Sequence, residues 1–491
     1  MKRRCFLSAG LIGLTLKAAR RIEGGFVNDS FVRGHQLRDH ARFPAPQRQV
    51  RVPLVIVGGG IAGLCASWRL QKKGFHDFVL LEMESAAGGN SRSGSNNISA
   101  YPWGAHYVPV PNAKAALVRE LFEDLGLLKN GVWDERHLCF APQERLFIAG
   151  RWQEEIEPQF DSAQMKRFAE RMREFRATGA FTIPSRAGAQ PDSPLDRLSM
   201  KAWMRQEGFT SPYVNWLADY SCRDDYGASA RDTSAWAGVH YFASREPDEK
   251  GPLTWPEGNG WLVKRLLEKV GSRVHADSMV TRVAQRGTRW SVMTPTVEYE
   301  ADAVIFAAPT FLAPYLIEEC PSFTPRQSSP WLTANLTLDR LPRAGQGAEP
   351  AWDNVIYGSP TLGYVDATHQ SLRTVHDQTV WTFYWALAQG SPADGRRALL
   401  ARDWGWWRDA ILDDLGRAHP DIRACVSRID IMRFGHAMAR PTPGFLSAPP
   451  PPTLPGLYFA NSDLSGFSIF EEAQYWGVRA ADQALQRRLH R

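Results

Sequence analysis

Three glycines and one carboxylate carry the clearest chemistry in this sequence. Gly58, Gly60 and Gly63 stand at G-x-G-x-x-G spacing: the first permits a tight turn, the second lets a diphosphate approach bare backbone, and the third lets the following helix pack on a strand. Glu82 comes 19 residues after Gly63, where an acidic side chain can receive the ribose hydroxyls of an adenine dinucleotide. The elements that must position these residues are legible around them. Leu54–Val57 is an unbroken, β-branched-rich run that suits a central parallel strand buried on both faces. Ile61, Leu64, Cys65, Trp68 and Leu70 put one apolar face on a helix over 61–73, with Gly74 as its C-cap. Ile61 and Ala62 open that helix, where unpaired N–H groups and the positive dipole end favour an anion. Phe78–Leu81 reads as a second buried strand that delivers Glu82.

Gly88 and Gly89 offer bare backbone for a second approach to a pyrophosphate. A Glu followed by Gly-Gly at this distance resembles the FAD-dependent amine oxidase superfamily, which includes phytoene desaturases and protoporphyrinogen oxidases, so the resemblance implies FAD rather than NAD. The family carries Gly-Gly-Arg here; this chain has Asn90 in that place and Arg92 two residues on, so Arg92 is the candidate for the phosphate contact. By the same resemblance Gly104 and Ala105 are flavin neighbours, His106 and Tyr107 are active-site groups, and Leu125-Gly126-Leu127 ends the following helix. For His106 a hydrogen-bonded structural role explains the residue equally well. Val280 maps to the residue whose backbone meets adenine.

The second signal lies at the other end of the chain. Gly456–Ala460 reads as a short buried strand, 461–466 as a turn, and Glu471 onward as a helix with small residues at 473, 477, 480 and 481. The family has a strand ending Phe-Ala-Gly-Glu/Asp and a helix beginning Glu-Gly-Ala, whose N-terminus faces the flavin and stabilises negative charge on it. Here Asn461 and Ser462 replace Gly-Glu/Asp, Asp463 is a shifted acid, and Glu472 replaces the Gly before Ala473. The resemblance makes Ser462, Asp463, Glu472 and Ala473 cofactor contacts. Ser465-Gly466-Phe467 resembles the Ser-Gly-Tyr that supplies one wall of an aromatic cage, with Phe467 as the wall and Tyr384 or Trp385 as its partner.

Between the two ends, 130–250 reads as aromatic-rich and mainly helical, with a hairpin around Gly150. Asp219–Tyr226 places Asp224 and Asp225 beside aromatics, which could attract a cationic amine, but a solvated charged turn is the favoured expectation. Val380–Trp385 alternates as a strand with aromatic side chains on both faces, lining a pocket or packing a core. The fold class expected is α/β: a Rossmann-type FAD-binding domain, a parallel sheet with helices, assembled from the discontinuous segments 51–129, 253–313 and 436–491. An inserted α+β substrate domain takes 130–252 and 314–435. Residues 22–50 read as a linker.

Composition bounds the rest. With 491 residues, 44% of them hydrophobic, the chain can fill two cores. Lys2, Arg3, Arg4, Lys17, Arg20 and Arg21 account for the whole net charge of +6, so no nucleic-acid partner follows from the basic pI. Residues 1–21 resemble a twin-arginine signal, implying the twin-arginine export machinery as a partner and a bacterial periplasmic location. The apolar stretch 5–16 is too short for a transmembrane helix. No C-x-x-C and no Cys/His cluster has zinc spacing, so no metal is expected.

The resemblance implies an oxidoreductase of a small-molecule substrate, most simply an amine and conceivably a polyamine, oxidised by hydride transfer to FAD; no cysteine follows Cys425, so the FAD is non-covalent. A desaturase or isomerase of an apolar polyene, and a non-enzymatic flavin-binding protein, are the alternatives. The last lysine is Lys269, so the lysine that many amine oxidases keep near the flavin has Arg326 as its nearest counterpart, which favours a dehydrogenase over a fast oxidase.

Overall fold

The computed structural model describes residues 21–27, 30–156, 162–185, 191–245, 251–318, 320–372, 377–452 and 454–489. The leader, except Arg21, lies outside them. The chain begins with β1 (Glu23–Val27), α1 (Phe31–Arg38), β2 (Arg48–Arg51), β3 (Leu54–Val57), α2 (Ile61–Lys72) and β4 (Phe78–Leu81). A hairpin, β5 (Glu144–Ile148) and β6 (Arg151–Glu154), opens the inserted region, and the helices α3 (Ser162–Ala177), α4 (Pro212–Tyr226) and α5 (Ala235–Ala243) follow it. Then come α6 (Gly260–Val270), β7 (Val274–His275), β8 (Arg282–Arg286), β9 (Arg289–Met293), β10 (Val297–Ala301) and β11 (Ala303–Phe306). The chain closes with β12 (Ser328–Leu338), β13 (Asp353–Ile356), β14 (Gly363–Asp366), β15 (Thr379–Ala386), α7 (Trp404–Gly416), β16 (Val426–Ala439), β17 (Leu457–Phe459) and α8 (Phe470–Leu489).

The first domain is built on a five-stranded sheet ordered β7-β4-β3-β11-β17, every pair parallel. β3, β4 and β11 are buried at every residue, as their continuous apolar runs require of central strands covered on both faces. One face carries α2, α6 and α8; the other packs against the β8-β9-β10-β2 sheet. Opposite ends of the chain meet here. β17 pairs with β11 in register Val304↔Leu457, and α8 lies so close to α2 that a Cβ on Gly477 would stand 2.2 Å from the Ala62 carbonyl oxygen. Only hydrogen at that position permits the approach.

The second domain is an eight-stranded mixed sheet ordered β1-β16-β12-β15-β14-β13-β5-β6. Side chains alternate across it with period two. On β15, Trp381 and Phe383 face α7, while Tyr384 joins the opposite core with α3, α4 and α5.

Two expectations are corrected. Residues 22–50 are not a linker: β1 pairs with β16 in the second sheet, β2 pairs with β10 in the first domain, and α1 sets Leu37 in the first domain's core and Phe31 under Arg433 of β16. No apolar periodicity marks this segment because it adds edges and a cover to both domains and has little core of its own. Asp219–Tyr226 is not a solvated turn but the last two turns of α4, capped by Ser211 at its start and by left-handed Gly227 at its end. Its burial comes from a tertiary partner, the eight-stranded sheet, which local charge does not reveal.

Candidate active site

A long groove runs along the carboxyl ends of the five-stranded sheet. Gly58, Gly60, Ile61, Ala62, Glu82, Gly88, Gly89 and Arg92 line one side, Val280 lies beyond Glu82, and Ser462, Asp463 and Ala473 line the far end. Gly58 has φ +103°, its N–H donates to the Leu81 carbonyl at 2.8 Å, and a Cβ there would meet Ala308 N at 2.9 Å. A Cβ on Gly63 would lie 2.0 Å from Gly58 O, so Gly63 acts by packing and does not itself line the groove. Gly60 is different: a Cβ on it would meet nothing within 4 Å, which leaves bare backbone facing open space.

Glu82 organises this turn. Its Oε2 accepts the Gly59 N–H at 2.7 Å and its Oε1 accepts the Glu84 N–H at 2.8 Å. Burial raises its pKa, and those two backbone donors oppose the rise. At the far end Asp463 Oδ2 accepts the Thr310 N–H at 2.7 Å and the Thr310 hydroxyl at 2.8 Å. Asp463 Oδ1 is buried without a hydrogen-bond partner among the described residues, and burial pushes the carboxyl up to about 6. A dinucleotide fits this donor set: exposed backbone at two glycine turns for the pyrophosphate, Glu82 for ribose hydroxyls, and a lone carboxylate oxygen for a hydroxyl of the connecting chain. Arg92 donates to Gly89 O at 3.1 Å and lies 3.6 Å from Glu84, so it braces the second glycine turn from within the groove. Asn90, in place of the family arginine, donates to the Ala437 carbonyl at 2.5 Å.

The groove opens into a cavity of ≈ 160 Å³ between the domains. Ala105, Ser468, Ile469 and Phe470 line both spaces. Gly104, His106, Tyr107 and Tyr384 line the cavity. The Tyr384 hydroxyl donates to Gly104 O at 2.9 Å, and its ring stacks on His106 with centroids 4.6 Å apart. Burial pushes the His106 pKa down to about 4, so it is neutral near pH 7.

Part of the same lining is acidic. Asp224 and Asp225 of α4 and Asp353 of β13 all line the cavity, with Arg245, just beyond α5, as their counter-charge. Arg245 lies 3.3 Å from Asp225 and 3.3 Å from the Tyr107 hydroxyl. Burial, then the Asp225 charge, pushes Asp224 up to about 7; burial, then Asp224, also raises Asp353. Such carboxylates are primed to gain from a cation, whose arrival would return them toward their ordinary range.

Three sequence expectations fall elsewhere. Trp385 points away from the cavity and packs against Trp407 with centroids 5.6 Å apart, because strand alternation puts it on the face opposite Tyr384. Phe467 sits one layer behind the wall, stacked on His240 at 4.8 Å, and His240 lines the cavity in its place. Glu472 faces neither space: its oxygens accept the Ser185 N–H and the Ser465 hydroxyl, each at 2.6 Å, so it ties α8 to the inserted region. Asp224 and Asp225, which the sequence offers as attractors of a cationic amine but more readily as a solvated turn, line the cavity, whereas Asp353, His240, Arg245 and Glu471 are not singled out by the sequence. The Ser211-Pro212 start and Gly227 stop bracket the helix that carries Asp224 and Asp225, a signal available in the sequence. Asp353 had none, since its place depends on sheet order.

A parallel βαβ dinucleotide groove that opens into an adjoining cavity is the arrangement of a flavin- or nicotinamide-dependent oxidoreductase. A model described as flavin containing amine oxidoreductase matches residues 61–336; the chain belongs to this family, and its cofactor is FAD. D-amino acid dehydrogenase of Neisseria meningitidis serogroup C (strain 053442) is 25% identical over 273 residues, which is 52% of this chain and 61% of that relative. The chain thus spans about three fifths of that curated relative. Among solved structures, wild-type putrescine oxidase bound to putrescine superposes with a TM-score of 0.67 at 17% identity, over 89% of this chain and 100% of that one. Cyclohexylamine oxidase from Brevibacterium oxydans IH-35A gives 0.67 at 16% identity, over 90% and 100%. At these identities the superpositions establish the fold.

Proposed function

We propose that this protein oxidises a cationic amine, of the diamine or polyamine class, at the junction of groove and cavity. Bound FAD supplies the hydride-accepting ring. The chain's own residues then have three tasks: Gly104, Ala105 and the start of α8 flank the reacting end, Tyr384 and His106, stacked on each other, present one flat wall to the substrate, and the acidic wall receives a second positive charge. The observation that carries this reading is the set Asp224, Asp225 and Asp353, three half-buried carboxylates against one arginine, in a cavity that opens onto the cofactor groove. An apolar polyene would bring no charge to this wall: Asp225 would keep Arg245 as its partner, and Asp224 and Asp353, whose pKa values burial raises, would gain nothing from it. The desaturase alternative is disfavoured on that ground.

Anaerobic mixing of the FAD-loaded protein with 1,4-diaminobutane, butylamine and an uncharged polyene tests the reading. Bleaching by the diamine at lower concentration than by the monoamine supports it; bleaching by the polyene alone rejects it. Among the described residues no helix is long and apolar enough to cross a membrane. The basic leader supports twin-arginine export to a bacterial periplasm, which fractionation with and without Arg3→Lys/Arg4→Lys would check.

A further inference from the structure

Glu471 is the second residue of α8 and follows Phe470, which lines both the groove and the cavity. Its side chain lines the cavity and is 1% exposed, and its Oε2 is buried without a hydrogen-bond partner among the described residues. Glu471 also lines a second, small pocket of ≈ 10 Å³, room for about one water, together with Asn112, Ser244 and Arg245. That pocket shares Pro109, Ile183, Ser244, Arg245 and Glu471 with the cavity. Glu471 therefore stands between the cavity and a side pocket whose polar lining is Asn112, Ser244, Arg245 and Glu471 itself.

We propose that Glu471 is the base that deprotonates the substrate ammonium before oxidation and passes the proton toward the side pocket. This rests on the amine reading above. An amine arrives as an ammonium, which has no lone pair with which to expel a hydride. In the step assigned to Glu471, one N–H bond of the ammonium breaks, its electron pair stays on nitrogen, and the proton bonds to Oε2 of the ionised carboxylate. The neutral amine is left beside the cofactor, and the carboxylic acid returns its proton to water in the side pocket. No other titratable group lining the cavity is as well placed. Asp225 is engaged by Arg245, His240 Nε2 is hydrogen-bonded to Thr182 O at 2.9 Å, and Asp224 and Asp353, unlike Glu471, do not line the side pocket.

The electrostatics agree with the geometry. Burial, reinforced by the neighbouring Glu472 charge, pushes Glu471 up to about 8, with Asp225 adding to the rise and Arg245 opposing it. His106 and His240, each pushed down to about 4 by burial, and Tyr107, raised by burial, add no competing base near neutrality. A carboxylate with a raised pKa is a stronger base than an ordinary one, matched to its operating pH.

The test is flavin reduction by 1,4-diaminobutane in the FAD-loaded enzyme, followed anaerobically from about pH 6 to about pH 10. Wild type should rise through a limb near the Glu471 pKa and then level. Glu471→Gln should lack that limb, run about 100-fold slower near pH 8, and climb tenfold per pH unit toward the amine's own pKa, about 10. Glu471→Asp, which keeps a carboxylate, should restore a limb, and an unchanged FAD spectrum in both variants excludes a collapsed site. A readout independent of turnover is the infrared difference between substrate-free wild type and Glu471→Gln. It should show one protonated carboxyl at neutral pH that is lost above about pH 8. Superimposable pH profiles, or no such carboxyl, would overturn the proposal while leaving amine oxidation standing. If no amine bleaches the wild type, the amine reading fails, and this one with it.

Discussion

Replacing Gly477 with alanine probes the contact on which the cofactor groove depends. The added Cβ would lie 2.2 Å from Ala62 O, 3.1 Å from Ala62 C and 3.1 Å from Ala66 N. All three are backbone atoms of α2, so no flexible side chain can yield, and the helices must part by roughly 1 Å to restore ordinary contact. Overpacking of this kind costs about 1–3 kcal/mol, and rigid backbone on both sides puts it at the upper end. Alanine's better helix propensity returns ~1 kcal/mol, leaving a net loss of about 2 kcal/mol. Cofactor affinity should fall too, because the starts of α2 and α8 line the groove through Ile61, Ala62, Phe470 and Ala473. A change of ~1.4 kcal/mol there is tenfold in Kd. The assays are thermal unfolding of the apoprotein and FAD titration by flavin fluorescence. Gly416→Ala serves as control, since a Cβ at that α7 position meets nothing within 4 Å and should be neutral or stabilising. A Gly477→Ala protein that melts at or above wild type and binds FAD equally well would refute the convergence of the two chain ends.

Other predictions follow from the same geometry. Asp224→Asn should raise KM for 1,4-diaminobutane by roughly tenfold to a hundredfold, a loss of about 1.5–3 kcal/mol for a charge-assisted contact, and change butylamine kinetics little; equal effects on both amines would remove the acidic wall from substrate recognition. Trp385→Ala should lower the melting temperature by the ~3–5 kcal/mol typical of a buried tryptophan and leave kcat/KM of the remaining folded enzyme near wild type, as expected of a residue packed on α7. Leu37→Ala, in the helix that covers the groove, should speed FAD release, measured by dilution with excess apoflavoprotein acceptor. The apoprotein should lose stability as pH rises from about 4 to about 8: Asp463, at about 6, Asp224, at about 7, and Glu471, at about 8, hold protons in the folded state that the unfolded chain has already released. An Asp224→Asn/Asp463→Asn variant should flatten that part of the melting curve.

The parts of this protein that were legible in the sequence are those whose chemistry is local. Gly58, Gly60 and Gly63 are read from spacing because backbone geometry at a βαβ turn admits few other residues, and the buried runs of β3, β4 and β11 are read because central parallel strands cannot be polar. Illegible features depend on partners far along the chain. Glu471 looks like one more acid in a charged helix start until the fold closes two cavities around it. Trp385 and Tyr384 are neighbours in sequence, yet only the packing of α7 on one face of β15 decides which one meets the substrate. Residues 22–50 gave no periodic signal, since strands at sheet edges and a short covering helix need none.

Central to the proposed function is a cationic amine giving up a hydride in a cavity with an acidic wall. Its most direct test is the visible spectrum of the FAD-loaded wild type mixed anaerobically with 1,4-diaminobutane. The flavin band should bleach within the mixing experiment and at lower amine concentration than with butylamine. An oxidised spectrum that persists with every amine tried, in protein that binds FAD, would contradict it.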